Sequence, residues 1–346
     1  MMNKYIKSLT SALLVSILIL SLNSCGMNSA SKSLDAWADN SPNKQKIITF
    51  VKEITDRNSK NFVPEEDRIA TFDMDGTIAC EQPLWIELAS AEYKIMNDMK
   101  DRKGLVAEVE KLNKDLKQSP EPGETGQLID DVTSQAFLNM SEEDYVNYVQ
   151  KFMSTNKIEF TNLQYKDTFY KPMLELIDYL MLNKFQIYIV SGSERGSVWG
   201  ACRESIPNIP RSHEIGSDIV LKPLNQTDPS DNQYIYAHDD NLIRQGTFSQ
   251  KDLKLGKVYN IYHQIGQKPI LAFGNTDGDF SMLNYAKSNK YKSISFLLCH
   301  DDNKREYDYN VNQRAQWDKE AKSNGWNVVS MKNEFKQIFL KETTKK

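Results

Sequence analysis

Two aspartates, Asp73 and Asp75, stand where an apolar run, Ile69-Ala70-Thr71-Phe72, ends in Asp73-Met74-Asp75-Gly76-Thr77. Carboxylates at this spacing suit phosphoryl transfer. The first can attack phosphorus; the second, on the same turn, can protonate the departing alkoxide and then take a proton from the hydrolytic water. A phosphomonoester at neutral pH is a dianion, so such a nucleophile also needs the substrate's charge neutralised and its phosphoryl group held in line. Taken alone, an aspartate pair at a strand end serves equally well as a cap or a turn.

Two further apolar runs stop at small, polar clusters in the same way. Phe185 to Val190 ends in Ser191-Gly192-Ser193, and Pro269 to Phe273 ends in Gly274-Asn275-Thr276-Asp277-Gly278-Asp279. A hydroxyl at Ser191 and freed backbone N–H groups around Gly192 can point at a phosphate oxygen, although a Ser-Gly pair after a strand is in itself an ordinary turn. Lys257, next to Gly256 and ahead of a helical pattern, can supply a fixed positive charge, with Lys251 and Lys254 as its competitors. An all-oxygen site of this kind suits a hard divalent cation, most simply Mg2+.

The elements that must carry these clusters alternate. Helical spacing is visible at Ile47, Ile48, Val51 and Ile54, at Met173, Leu174, Leu176, Ile177 and Leu180, and at Val258, Ile261, Tyr262 and Ile265. Further strands are expected at Ser293 to Leu298 and Trp326 to Val329. Strand, helix, strand in repetition predicts an α/β fold, a Rossmann-like doubly wound parallel sheet. Ligands of such sheets sit outside the carboxyl ends of the strands, where all three clusters fall.

The motifs in order resemble those of the haloacid dehalogenase-like phosphohydrolases. Asp73 to Thr77 is similar to the family's DxDGT nucleophile motif, Ser191 to its second-strand Ser/Thr, Lys257 to its third-motif lysine, and Gly274 to Asp279 to its acidic fourth motif. The likeness runs from about residue 66 to 300. The segments CEQPLWIEL (80–88), GNTDGDFSML (274–283) and HDDNKREYDY (300–309) look like a secreted branch of the superfamily. The resemblance implies an aspartyl phosphate on Asp73 and acid–base work by Asp75. The family's dehalogenases and transport ATPases lack a carboxylate at this second position. It also implies Mg2+ held by the Asp73 carboxylate, the Asp75 backbone carbonyl and a fourth-motif side chain. Here the chain departs from the commonest pattern: Asn275 stands where an Asp is usual, with Asp279 four residues on and Asp277 between them, so any of the three can ligate.

Between Asp73 and Ser191 lie far more residues than one crossover needs, with a helical pattern at Leu84, Leu88, Ala91, Ile95 and Met99 and a loop PEPGETG at 120–126. This stretch resembles the helical cap of the phosphoserine phosphatase-like branch. That gives a core of 46–80 and 160–346 with a cap at 81–159. In that branch a Glu eight or nine residues past the nucleophile reads the substrate amine; Glu81 occupies the first of these positions. Glu81 thus hints at a cationic substrate such as phosphoserine or phosphocholine, or else caps the helix starting near Pro83. Tyr145, Tyr148 and Phe152, with Trp85, form either a cation box or core. His300-Asp301-Asp302 lines the pocket or makes a turn.

The amino terminus has its own signature. Lys4 and Lys7 precede the apolar run Leu13 to Leu22, which as a helix rises only ~15 Å, too short for a comfortable span. Leu22-Asn23-Ser24-Cys25 resembles the lipobox of bacterial lipoproteins, which makes 1–24 a signal peptide, Cys25 a lipid-bearing residue and 25–45 a solvated tether. Export to the cell envelope and a membrane held through Cys25 follow from it. Processing would take the net charge from −4 to −6, so nothing in the charge suggests a nucleic-acid partner. No protein partner is indicated. At 346 residues, 40% hydrophobic and 26% charged, the composition is globular and excludes a multi-span membrane protein. Cys80, Cys202 and Cys299 allow at most one disulfide and show no CxxC spacing.

The expectation is therefore an exported, Mg2+-dependent phosphatase acting on a small phosphomonoester. A phosphomutase and a non-catalytic binding lipoprotein, for which Asn275 argues, stand beside it.

Overall fold

The structure, a computed structural model, describes residues 33–118, 126–228, 230 and 232–346. The expected signal peptide, Cys25, the first part of the tether and most of the PEPGETG loop lie outside the described residues.

Along the chain the elements are α1 (Pro42–Thr55), β1 (Ile69–Phe72), α2 (Ile86–Asp98), α3 (Lys103–Gln118), α4 (Gly126–Ala136), α5 (Glu142–Phe152), α6 (Lys171–Leu182), β2 (Gln186–Glu194) and α7 (Arg195–Ser205). They continue with β3 (Glu214–Pro223), β4 (Leu242–Gln250), α8 (Leu255–Gln264), β5 (Leu271–Gly274), α9 (Phe280–Lys287), β6 (Ile294–Cys299), α10 (Val311–Asn324), β7 (Asn327–Ser330) and α11 (Met331–Glu334).

The strands of one sheet run in the order β4-β3-β2-β1-β5-β6-β7, all parallel except the antiparallel edge strand β4. Each central strand reads as a continuous apolar run because both of its faces are covered. Ile187 and Ile189 of β2 enter one core with Ala70, Phe72 and Phe273, packed by α1 and α6. Tyr188 and Val190 enter the other, packed by Ile261 of α8, Met282 and Leu283 of α9, and Trp326. This is the doubly wound architecture expected. Its strand order reverses at β1, which pairs with β2 on one side and β5 on the other. The crevice between the carboxyl ends of β1 and β5 is thus the switch point at which such sheets bind ligands.

Two features depart from the expectation. The hairpin of β3 and β4 carries mixed polar and apolar residues with shifted register, and neither strand shows a clean period. The tether is also shorter than 25–45. Trp37 is fully buried and its Nε1 donates to Pro172 O at 2.9 Å, Ala36 N donates to Glu175 at 2.7 Å, and Ser41 both caps α1 and donates to Glu334 at 2.6 Å. An indole ring and paired backbone removed from water cannot belong to a solvated linker, so the folded body starts before Lys46. Between β1 and β2 the chain inserts the four helices α2 to α5, with α5 packed on α7.

Candidate active site

The site begins with a turn that only glycine permits. After β1, Met74 O accepts from the amides of Thr77, Ile78 and Ala79 at 3.2, 2.9 and 3.0 Å, and Gly76 N donates to Ala79 O at 2.7 Å. Closing this loop puts Gly76 at φ +77°, and a Cβ there would sit 1.9 Å from Asn275 Nδ2 and 2.5 Å from Glu81 Oε1. Gly76 therefore answers two demands, a left-handed backbone and contact with the next strand end. Asp73 N donates to Phe273 O at 3.0 Å, which fixes the head of the loop against β5.

Lys257, on the first turns of α8, is 1% exposed. Its Nζ lies 2.6 Å from Asp73 Oδ1, 2.7 Å from Asp279 Oδ1 and 2.5 Å from Val190 O. Of the three candidate lysines it alone reaches Asp73: Lys251 pairs with Asp130 and Lys254 with Asp277. Burial by itself would lower the Lys257 pKa, but Asp279 and Asp73 outweigh it and raise the value. Burial, then the Asp279 charge, pushes Asp73 well above the usual carboxylate range against the opposing pull of Lys257. Asp75 is raised by burial, with the Ser193 hydroxyl opposing. Asp73 and Asp279 facing the one Lys257 ammonium leave a surplus of negative charge, which a divalent cation would help to neutralise.

The fourth-motif residues divide their work. Asp279 braces: Oδ2 accepts from Asn275 N at 2.9 Å and Thr276 N at 3.1 Å, while Oδ1 takes Lys257. Gly274 makes room for it, since a Cβ there would lie 2.3 Å from the Asp279 Cβ. Both Asp279 oxygens are thus engaged with the strand end and Lys257, and exposed Asp277 turns to Lys254. Asn275 faces the nucleophile loop. Its Nδ2 donates to Glu81 Oε1 at 2.9 Å and its Oδ1 accepts from Thr77 Oγ1 at 3.2 Å. The donor set that fits a hard cation is thus the Asp73 carboxylate, the Asp75 carbonyl and the Asn275 amide oxygen. Among the described residues no group of three His, Cys, Asp or Glu is arranged to hold a metal ion.

Glu81 is likewise recast. Its Oε1 accepts from Asn275 Nδ2 and, at 2.6 Å, from the Tyr309 hydroxyl, and burial raises its pKa to about 7. It orients Asn275 instead of standing open to a substrate amine, and it does not cap α2, whose first residue is Ile86.

Ser191 is 1% exposed and its hydroxyl accepts from Ser193 N at 3.2 Å. The β2–β3 register shifts between Val190 and Glu194, so Ser191-Gly192-Ser193 bulges at the strand end beside the site. Ser193, not singled out from the sequence, donates to Asp75 Oδ2 at 2.8 Å. Residues i and i+2 of a strand share a face, so Ser193 could have been inferred from Ser191.

The aromatic box does not form. The Tyr145 ring faces the chain's own Arg244 at 3.9 Å, Tyr148 faces Lys94 at 4.6 Å, and Phe152 packs on Tyr165. Asp302 braces its own turn through Arg305 and Asp301 accepts from Ser330 at the start of α11, whereas His300 reaches under the loop after β1. Cys80, Cys202 and Cys299 are all unpaired.

No family model and no curated protein matches the sequence. Solved structures do. A conserved protein of unknown function from Anaerococcus prevotii is 14% identical, with 83% of this chain and 91% of that one covered and a TM-score of 0.53. A protein of unknown function from Bordetella pertussis is 14% identical over 76% and 97%, with a TM-score of 0.50. A cytosolic 5'-nucleotidase IIIB solved with cytidine is 13% identical over 83% and 85%, at 0.49. The first two establish the fold, a Rossmann-like α/β sheet.

Proposed function

We propose that this chain is a divalent-cation-dependent phosphatase of the haloacid dehalogenase-like superfamily, hydrolysing a small phosphomonoester through a phosphoryl group carried on Asp73. The observation that carries the reading is the Lys257 ammonium set between Asp73 and Asp279 at the switch point of the sheet, with Asp75 two residues from the nucleophile. Mg2+ held by Asp73, the Asp75 carbonyl and Asn275 would supply charge neutralisation of the phosphoryl oxygens.

The chain's own groups do the rest. An Asp73 oxygen attacks phosphorus and the ester P–O bond breaks. Asp75, whose pKa burial raises, gives a proton to the leaving alkoxide. Asp75, now a carboxylate, takes a proton from water; the hydroxide attacks phosphorus, the bond to Asp73 breaks and inorganic phosphate leaves. Lys257 and the Ser191-Gly192 strand end balance charge on the transferring group. The start of α2 meets the site where Ile86 N donates to Asp75 Oδ1 at 3.4 Å, and the inserted helices α2 to α5 would restrict it to small esters.

The test is phosphate release by the full-length, detergent-solubilised protein over a panel including phosphoserine, phosphocholine and an aryl phosphate, with Mg2+ or chelator, beside Asp73→Asn. Mg2+-dependent release lost in Asp73→Asn supports the phosphatase. Ligand binding without release from folded protein would favour the non-catalytic reading, which Asn275 in place of an acid supports; product rephosphorylation would mark a mutase. We further propose that the protein is exported and held at a membrane by lipid on Cys25. Cys25→Ser should then move it from the membrane to the soluble fraction.

A further inference from the structure

The segment after β6 reaches back beneath the nucleophile loop. His300 is 3% exposed; its Nε2 lies 2.6 Å from Gly76 O and its Nδ1 3.1 Å from Glu306 Oε2. Glu306 is fully buried and accepts from three further donors: the Tyr170 hydroxyl at 2.9 Å, Cys80 Sγ at 3.1 Å and Tyr307 N at 2.6 Å. A carboxylate ringed by these three donors is favoured in its ionised form, which has no proton to give. A backbone carbonyl never has one. With Glu306 ionised and Gly76 O an acceptor, both ring nitrogens of His300 donate only when the ring is an imidazolium. Burial opposes that charge, but Glu306 outweighs it, raising His300 while His300 lowers Glu306. Tyr309 stacks on the ring at 4.4 Å and Tyr170 packs at 6.0 Å; Glu81 is the remaining acid that favours the charge.

The loop's own hydrogen bonds use Met74 O, Gly76 N and Ala79 O, whereas the Gly76 carbonyl turns outward to His300. This carbonyl belongs to the peptide joining Gly76 to Thr77, directly after Asp75. Leaving it without a donor would cost a buried hydrogen bond at the point where the loop is left-handed.

We propose that His300 is a positioning residue, a doubly protonated ring that ties the Gly76 carbonyl to Glu306 and so holds Asp73 and Asp75 in line for phosphoryl transfer. This rests on the phosphatase reading, so the experiment has an arm that does not. Nitrogen NMR of the full-length protein, with the His300 signals assigned by their loss in His300→Gln, should find both ring nitrogens protonated at pH 7.5. A neutral tautomer there would overturn the proposal whether or not any ester turns over. In the kinetic arm, His300→Ala should lower kcat by about tenfold to a hundredfold with KM nearly unchanged. His300→Gln, which keeps an N–H donor but no charge, should recover part of the loss. Wild-type kcat in folded His300→Ala, or equal losses in Gln and Ala variants, would contradict it. Should His300→Ala not fold, His300→Gln against wild type decides by the same split of kcat from KM. Absence of wild-type turnover together with a doubly protonated ring would count against the phosphatase reading and leave the charged tie standing.

Discussion

Two buried cations sit a short distance apart in sequence and do different work. Lys257 is 1% exposed between Asp73 and Asp279; Arg244 of β4 is fully buried and binds Glu194 through two nitrogens, with Glu142 at 3.4 Å and the Tyr145 ring at 3.9 Å. Arg244 joins the edge strand to the end of β2 and to α5, and its fork geometry suits a clamp. Lys257 is a point charge at the ends of the strands flanking the switch point. Both clusters carry surplus acid. Beside the clamp, Glu87 in the first turn of α2 is pushed up to about 8 by burial and then by the Glu194 charge. At the switch point the proposed divalent cation would neutralise the surplus. A buried ion pair therefore marks a site only where it faces the crevice of the sheet.

The comparison breaks most sharply at Asp73. Asp73→Asn should lower phosphate release by at least about a thousandfold with the circular dichroism spectrum unchanged, whereas Arg244→Met should leave kcat within a few-fold. Stability should not separate the two clusters. Lys257→Ala and Arg244→Ala should each cost about 3–5 kcal/mol in denaturant unfolding, because each strands buried carboxylates. Pairing Arg244→Met with Glu194→Leu should restore much of that loss and keep turnover; no rescue would mean the clamp does more than pack.

Glu87 gives the clamp a pH dependence with a definite sign. Its folded pKa of about 8 lies above the ordinary 4.5, so the folded state binds the extra proton and this group's contribution to stability falls as pH rises from about 4.5 to about 8. Thermal melts of Glu87→Gln should show a smaller decline over that window than wild type; parallel curves would refute the shift. The smallest effect is expected at Asn275. Asn275→Asp adds a charge to the proposed ligand set and should reduce the Mg2+ concentration for half-maximal activity severalfold. Its cost is the donor to Glu81, which as an acid near pH 7 can supply the proton instead.

What the sequence made legible was whatever local pattern controls. Strands β1, β2 and β5 are short apolar runs because they are buried on two faces, and each stops at a polar cluster that faces the crevice. Lys257 could be chosen among three lysines only by its place before a helix. The hairpin of β3 and β4 escaped because a half-exposed edge with shifted register alternates poorly. Glu81, Asn275 and His300 were visible as residues but not as partners. Tyr309 lies 228 positions from Glu81 and His300 lies 224 from Gly76, and no spacing rule spans such distances. The same holds for Trp37, whose burial depends on Pro172 and Phe335 and not on its Ser- and Asn-rich neighbours.

The central claim is that phosphorus becomes bonded to Asp73, and acid-quench mass spectrometry tests it most directly. Full-length protein is mixed with Mg2+ and the ester it turns over fastest, quenched in acid, and the peptide spanning Asp73 is sequenced. The account predicts a base-labile phosphoryl group on Asp73, absent without Mg2+ and absent in Asp73→Asn. A phosphoryl group on another residue, or phosphate release that persists in Asp73→Asn, would contradict it.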